Sequence, residues 1–230
     1  MYARQVPRYS RRVPRAKTPA TGARRRNPRG EGDRLRTALM DAASELLIEL
    51  GSADKLSIRG VTAHAGVTPT ALYLHFADKE DLLNAVVARS FQELRAFLLD
   101  AEARHEGDPP AQFAAMGRAY IAFALERPAH YRIIFGTHVP GGKPVPVDLE
   151  PEEDDPGLQA FHDLVRAVAR CISDERDPFE IAVLIWTALH GFVTLQAVMP
   201  NFPWPAAERY LDELHAAYLT PGGRGGRAGR

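Results

Sequence analysis

Apolar side chains recur at helical spacing along most of this chain, and no convincing stretch alternates as a β-strand would. Between residues 34 and 50, leucine and alanine side chains fall three and four residues apart and form one stripe. An uncharged run from Ile181 to Met199 follows Asp177 and Pro178, a pair that is typical of a helix N-terminus. Because the apolar segments from 34 to 219 share this period, the sequence predicts an all-α fold.

The predicted helices divide into a short N-terminal group and a longer C-terminal group. They span 34–50, 57–66, 68–76, a long helix that begins after Asp78 and includes Leu98, 109–127, 129–135, 158–173, 178–199 and 205–219. The first three form a small N-terminal unit within residues 34–80. The long fourth helix joins this unit to a larger helical bundle within residues 81–220.

Charge is distributed unevenly, although the 230-residue chain has a formal net charge of zero. Residues 1–33 carry a net charge of +8, residues 34–80 carry −1, residues 81–220 carry −10 and residues 221–230 carry +3. The first segment is rich in Arg and Pro and lacks apolar periodicity, so burial cannot offset its ordering entropy. We therefore predict disordered basic tails at 1–33 and 221–230, and an exposed loop at 138–157.

Several features predict a cytoplasmic protein with no membrane partner. The basic N-terminus is followed by more Arg and Pro, whereas a signal peptide would continue with an apolar segment. The run from Ile181 to Met199 is long enough to cross a membrane, but Thr, His, Gly and Gln interrupt it, which favours a buried helix. The lone Cys171 has no partner for an intramolecular disulfide, which is typical of a reducing compartment.

The segment from Ser57 to Lys79 has the spacing of a helix-turn-helix. Two short predicted helices meet at Gly66, where glycine allows the backbone of a tight turn. The second helix begins with Thr68 as N-cap and Pro69 at the first helical position. The positions predicted to face inward are Val61, Val67, Leu72 and Phe76, against Leu39, Leu46 and Leu50 of the first helix. The first half of the second helix is then left exposed.

The exposed side of this second helix carries groups that suit the major groove of DNA. Its side chains are short or aromatic, can form hydrogen bonds and include few charges. They are Thr68, Pro69, Thr70, Tyr73 and His75. Arg59 and Lys79, each in the first turn of a neighbouring helix, are predicted to contact the phosphate backbone. A helical hairpin that only packs is the alternative at this stage.

The segment from Gly66 to Leu83 resembles the DNA-binding signature of the TetR family of transcriptional regulators. The matching pairs are Gly66-Val67, Leu72-Tyr73, His75-Phe76, Lys79-Glu80 and Leu82-Leu83. The helix that starts at Arg34 also resembles the first helix of that family. Together the similarity covers about 50 residues.

The resemblance implies a role for each matching residue. Thr68, Pro69 and Thr70 would face bases, while Arg59, Tyr73, His75 and Lys79 would contact the DNA backbone. The candidate DNA-binding residues are Ser57, Arg59, Thr68, Pro69, Thr70, Tyr73, His75 and Lys79. Three positions depart from the family pattern, because Ala71 replaces the commoner Ser or Thr, Thr62 replaces the commoner Ala, and Gly60 lies inside a predicted helix.

The C-terminal half resembles, more weakly, a TetR subfamily whose effector domain is named for a Trp-His-Gly element. The similar segments are residues 127–135 and the stretch from Trp186 to Gly191. The resemblance implies that the last two helices form a homodimer interface and that the inner helices enclose an effector pocket. Candidate pocket residues are Tyr131, Phe135, Trp186 and His190, for each of which a place in the hydrophobic core is the alternative.

No motif typical of catalysis or metal binding occurs in the sequence, so we predict neither an enzyme nor a cofactor. The resulting hypothesis is a homodimeric, ligand-responsive regulator, expected to be a repressor. Its partners would be a pseudo-palindromic double-stranded DNA operator and a small-molecule effector. The alternative is an all-α small-molecule-binding protein or enzyme that uses the bundle cavity. The basic segment 1–33 is further predicted to add phosphate contacts or a minor-groove arginine.

Overall fold

The computed structural model of the protein describes residues 31–136 and 155–220. Most of these residues are helical, and no strand occurs among them, so the predicted all-α class is confirmed. Three predicted segments, the basic tail up to residue 30, most of the loop at 138–157 and the C-terminal tail at 221–230, lie outside the described residues.

Nine α-helices make up the described ranges. The first four are α1 (Glu31–Leu50), α2 (Ile58–His64), α3 (Pro69–Leu72) and α4 (Lys79–Ala103). The others are α5 (Pro109–Glu126), α6 (Pro128–Gly136), α7 (Pro156–Cys171), α8 (Pro178–Val198) and α9 (Ala207–Tyr218). A single 3₁₀ turn, Ala53–Lys55, lies between α1 and α2, and the apolar periodicity did not predict it.

Side-chain caps determine where several helices begin. The side chains of Ser57, Thr68, Asp78 and Asp177 each accept a hydrogen bond from a backbone N–H in the first turns of α2, α3, α4 and α8, respectively. Such a cap satisfies an N–H group that has no partner within the helix. Thr68, Asp78 and Asp177 stand where the sequence analysis predicts the start of a helix.

The first helix begins earlier than predicted, at Glu31 rather than Arg34. Residues 31–33 therefore belong to α1 and not to the tail. The hydroxyl of Thr37 donates to the carbonyl of Asp33 at 2.9 Å, as expected one turn further along a helix. This first turn has no apolar residue that periodicity could detect, and its two acids suit the positive end of the helix dipole.

The third helix ends earlier than predicted, at Leu72 rather than near Phe76. The N–H groups of His75 and Phe76 both donate to the carbonyl of Leu72, at 2.9 and 3.0 Å. A carbonyl shared in this way is common where a helix tightens and stops. Residues 73–75 form a turn that still returns Phe76 to the core.

Two hydrophobic clusters organise the helices. The first is built from α1, α2, α3 and the start of α4, and the second from the rest of α4 together with α5 to α9. Besides α4, the helix α6 belongs to both, because Ile133 lies in the first cluster while Tyr131 and Ile134 lie in the second. The helix α6 therefore connects the N-terminal unit to the bundle.

Candidate DNA-binding surface and effector cavity

The turn between α2 and α3 depends on one glycine. Gly66 has φ of +68°, and no atom lies within 4 Å of the place where a Cβ would stand. The requirement for glycine therefore comes from the left-handed backbone and not from crowding. The N–H of Val67 then donates to the carbonyl of Thr62 at 2.9 Å, which holds the turn against the end of α2.

The inner faces of α2 and α3 are packed as the sequence predicts. Val61 and Leu72 are fully buried and Phe76 is 2% exposed, while Val67 is half-buried at the edge of the same cluster. The guanidinium of Arg36 lies over the Phe76 ring, 5.0 Å from its centroid. The two short helices are thus held by their contacts with α1 and α4.

Most candidate DNA-binding residues lie on the exposed surface. Those that are exposed are Ser57, Arg59, Thr68, Pro69, Thr70 and Tyr73. Thr68, Pro69 and Thr70 form the first turn of α3, and 57% of Tyr73 is exposed. Lys79 and His75 are half-buried; the imidazole of His75 lies beside Gly32 of α1, 3.7 Å from where a Cβ would stand.

Two departures from the family signature have a structural explanation. Thr62 is buried, and its hydroxyl donates to the carbonyl of Ile58 at 3.0 Å, so no polar group is left unsatisfied. Gly60 is the third residue of α2 and not a mid-helix residue, and its N–H donates to Ser57 Oγ at 3.1 Å. A Cβ at Gly60 would lie 3.2 Å from that oxygen, so glycine leaves room for the cap.

Sequence reasoning missed two features of this surface. Leu74 is 74% exposed beside Tyr73, and its position between the inward Leu72 and Phe76 could have revealed this. The imidazole Nε2 of His64 lies 2.6 Å from a carboxylate oxygen of Glu45, which ties α2 to α1. No sequence signal identifies a pair that is separated by a full helix and a loop.

A cavity of about 470 Å³ lies in the second cluster, between α4, α5, α6, α7 and α8. Its wall is mainly aromatic and aliphatic. The rings that line it include Phe91, Phe113, Phe135, Phe161, Phe179 and Trp186. Several of them pack edge to face, with centroids 5.5 Å apart for Phe161 and Phe179 and 5.8 Å apart for Phe161 and Trp186. A volume of this size is typical of a small-molecule site.

The four candidate pocket residues fall into two groups. Phe135 and Trp186 line the cavity, whereas Tyr131 and His190 are not among its lining residues. These two extend a hydrogen-bonded chain that starts at Tyr120 in the wall. The hydroxyl oxygens of Tyr120 and Tyr131 are 2.7 Å apart, and the hydroxyl of Tyr131 is 2.6 Å from His190 Nδ1.

Burial makes this chain neutral near pH 7. It raises the pKa of Tyr131 to about 12 and raises that of Tyr120 further. It also lowers the pKa of His190 below its ordinary value, because a charged imidazole loses hydration there. Sequence reasoning missed Tyr120, although a hydroxyl within the otherwise apolar stretch from Ala119 to Ala124 is a signal that could have found it.

The described residues around the cavity lack the side-chain groupings that hold metal ions in proteins. Within residues 31–136 and 155–220, no three His, Cys, Asp or Glu side chains are grouped so that they could hold a metal ion. Cys171 is half-buried, its thiol faces the carbonyl of Pro109 at 3.4 Å, and burial raises its pKa. The geometry of the second cluster is therefore that of an apolar binding cavity.

The helix α8 has one buried face and one exposed face. Of all helices in the described part of the chain, it alone is long and apolar enough to cross a membrane, a test that core helices of other proteins also pass. Ile181, Ile185 and Leu189 are buried in the second cluster. Leu184 and Leu195 are about half exposed and Val198 is 73% exposed, so the predicted buried helix is buried on one side.

Two family models match separate parts of the chain. Residues 39–86 match the model described as bacterial regulatory proteins of the tetR family, and residues 113–218 match a tetracyclin repressor-like C-terminal domain. The chain belongs to the TetR family. The first match includes the whole helix-turn-helix, and the second includes both C-terminal segments that suggested the same family.

Relatives with known sequences and structures agree with this assignment. An uncharacterized HTH-type transcriptional regulator of Mycobacterium tuberculosis is 27% identical over 143 residues, which is 62% of each chain. The chain spans less than two thirds of the length of the curated relatives that it matches. A Rhodococcus sp. RHA1 protein of unknown function is 27% identical, with a TM-score of 0.67 over 85% of this chain and 100% of that one.

A further solved structure, the SmeT–triclosan complex, shares the fold. Its TM-score is 0.60 at 21% identity, and the similarity covers 82% of this chain and 93% of that one. The model that matches residues 39–86 describes its members as bacterial regulatory proteins, and the Mycobacterium tuberculosis relative is described as an HTH-type transcriptional regulator.

Proposed function

We propose that this protein is a homodimeric, ligand-responsive transcriptional repressor that binds a pseudo-palindromic DNA operator. The observation that carries the proposal is the exposed first turn of α3, supported from below by a buried helix-turn-helix core. A DNA-binding role also implies a cytoplasmic location in a bacterium.

The exposed surface of α3 is suited to base edges. Thr68, Pro69 and Thr70 offer small hydroxyl and apolar groups at the start of the helix, where a recognition helix meets the major groove. The side chains of Arg59 and Lys79 lie in the first turns of α2 and α4 and would contact phosphates on either side. Residues 34–80 have a net charge of only −1, so attraction to DNA must come from such individually placed groups.

The exposed face of α8 supports a dimer. Leu184, Leu195 and Val198 are exposed apolar side chains on a helix whose stretch from Ile181 to Val198 carries no charge. Gly191, also on this helix, has no atom within 4 Å of where a Cβ would stand, so a second helix could approach closely there. A second copy that covers this face would give a two-fold dimer with two recognition helices, which a palindromic operator requires to lie about one turn of DNA apart.

Ligand response would depend on α6. This helix contributes Phe135 to the cavity wall and Ile133 to the core of the helix-turn-helix unit. A ligand that binds one position of α6 better than another would shift the population of subunit arrangements. An arrangement that no longer matches the operator spacing would release the DNA.

An enzyme or a simple carrier would use the cavity but would have no need for the exposed α3 surface. That surface is therefore what the decisive experiment must test. The assay is an electrophoretic mobility shift of the purified protein on DNA from upstream of its own gene. We expect specific binding with two chains per site, the ratio being measured by sedimentation of the complex.

Two variants test the surface directly. We expect Tyr73→Ala and Lys79→Ala each to weaken binding by about tenfold, since a contact to DNA contributes about 1–3 kcal/mol. Arg118→Ala is the matched control for charge, because Arg118 is exposed on α5 in the bundle, and binding should stay within about twofold. Undiminished binding by both Tyr73→Ala and Lys79→Ala would contradict the proposed DNA-binding surface.

A further inference from the structure

The part of the cavity wall that residues 31–136 and 155–220 form contains few polar groups. Among these lining residues, only Tyr120, Trp186 and Asp155 have polar side-chain atoms, and none is Lys, Arg or His. Asp155 is an exposed residue at the start of α7, where its Oδ1 accepts hydrogen bonds from the N–H groups of Gly157 and Leu158 at 2.8 and 3.1 Å. Its carboxylate is thus already engaged as a helix cap, and the rest of this described wall is uncharged.

An uncharged wall selects against charged ligands. Moving a carboxylate, phosphate or ammonium group from water into an apolar cavity is unfavourable unless an opposite charge or several hydrogen bonds receive it. The lining residues within the described part of the chain provide no cation for an anionic ligand. For a cationic ligand, the carboxylate of Asp155 lies at an exposed position and is already used by the backbone of α7.

Tyr120 is the lining residue whose side chain can form a hydrogen bond with a ligand inside the cavity. Its hydroxyl has one donor and two acceptor sites; Tyr131 takes one and the side chain of Trp186 is a second partner, which leaves one site. His190 ends the chain on the far side, so Tyr131 is engaged by both neighbours. Tyr120 therefore keeps hydrogen-bonding capacity for a ligand, while Tyr131 does not line the cavity.

We propose that the cavity binds a neutral, mainly aromatic small molecule with one hydrogen-bonding group, and that this group meets the hydroxyl of Tyr120. The proposal deepens the function proposed above and rests on the cavity being the effector site. Aromatic rings from α4, α6, α7 and α8 surround the space, and a flat ligand ring can join their edge-to-face packing.

The test compares two fluorescent probes that share one skeleton. N-phenyl-1-naphthylamine is neutral, aromatic and has one N–H group, and 1-anilinonaphthalene-8-sulfonate is the same molecule with an added sulfonate. Titration of the purified full-length protein with each probe gives its dissociation constant. We expect the neutral probe to bind at least about tenfold more tightly. Equal or tighter binding of the sulfonate would overturn the proposal.

Two pairs of variants place the neutral probe in the cavity. Ala160→Trp adds a ring from the wall and should abolish binding, whereas Ala169→Trp, at an exposed position on the same helix, should leave it unchanged. Tyr120→Phe should weaken binding about threefold or more, whereas Tyr131→Phe should stay within twofold. The proposal would be overturned if the neutral probe still bound to Ala160→Trp, or if Tyr120→Phe left its dissociation constant unchanged.

The same samples separate this inference from the proposed function. Each probe is also added to the operator complex, and release of DNA is measured. If the neutral probe binds in the cavity and DNA is not released, the ligand class stands and the ligand response fails. If the sulfonate binds more tightly and releases DNA, the ligand response stands and the proposed ligand class is wrong.

Discussion

The two hydrophobic cores of this protein differ in their relation to the cavity, which is lined by residues of the bundle core and by none of the buried residues of the N-terminal core. In the N-terminal core, Leu39, Val61, Leu72 and Leu82 are fully buried. The bundle core is larger, yet it surrounds a cavity of about 470 Å³ with a chain of hydroxyl and imidazole groups behind its wall. One core is a packed support and the other keeps room for another molecule.

This difference follows from what each core has to hold. The helices α2 and α3 have seven and four residues, so they are too short to be stable without tertiary contacts. Filling the core beneath them holds the exposed turn of α3 in one position. Side chains that line an empty space lack neighbouring atoms on one side, and a ligand can supply the missing contacts.

The largest effect on stability should appear when one phenylalanine is replaced by alanine in each core. Phe76→Ala deletes a ring that is 2% exposed, and we expect it to lower the free energy of unfolding by about 3–5 kcal/mol. Phe161→Ala deletes a half-buried ring that borders the cavity, and the loss should be below about 2 kcal/mol. Urea unfolding followed by circular dichroism measures both values.

The control for these two variants is Phe202→Ala. Phe202 is 49% exposed beyond the end of α8, so its removal should change stability by less than about 0.5 kcal/mol. If Phe161→Ala destabilised the protein as much as Phe76→Ala, the wall of the cavity would be as tightly supported as the N-terminal core, and the comparison would fail.

An intermediate effect on stability is expected at the two ion pairs that join α4 to the bundle and to α1. Arg95 of α4 lies 2.6 Å from the buried carboxylate of Asp163, which also pairs with Arg166 of α7. Arg89 of α4 lies 2.7 Å from Asp41 of α1, whose side chain is 55% exposed. The long helix is thus tied by a buried ion pair to the bundle and by an exposed one to α1.

Removing each acid should reveal this asymmetry. We expect Asp163→Ala to lower the free energy of unfolding by about 2–3 kcal/mol, since it leaves the partly buried Arg95 without its partner. Asp41→Ala should lower the free energy of unfolding by about 0–1 kcal/mol, because the charges of an exposed ion pair are well solvated and screened by salt. Thermal unfolding at low and high salt measures both, and only the smaller loss should vary with salt. The reverse order would show that α4 is held mainly by α1.

The helix-turn-helix could be predicted because its determinants are local. Ser57, Thr68 and Asp78 cap helices whose first turns follow directly in sequence, and Gly66 marks the turn. The boundaries that differ most, at Glu31 and Leu72, depend on a polar first turn and on a shared carbonyl. Apolar periodicity carries no information about either.

The cavity could be predicted only in part, because it results from contacts between distant helices. Phe135 and Trp186 do line it, but nothing in the sequence indicates that Tyr131 and His190 lie behind Tyr120 instead. The positions of Tyr131 and His190 along the sequence do not show how far their side chains lie from the cavity. Similarly, a continuous apolar sequence in α8 does not reveal which of its faces the rest of the chain covers.

The smallest expected effect is a pH dependence that arises in the bundle at His190. Burial lowers the pKa of this half-buried imidazole below its ordinary value of about 6.5. Between the two pKa values the unfolded chain binds more protons than the folded chain, so the contribution of His190 to stability is present above pH 6.5 and is lost as pH falls through the lowered pKa.

The variant His190→Gln tests this, because its side chain cannot take up the proton. The difference in unfolding free energy between the original protein and His190→Gln should therefore rise from pH 5 to pH 7, and a constant difference would show that burial in the bundle does not disfavour the charged imidazole.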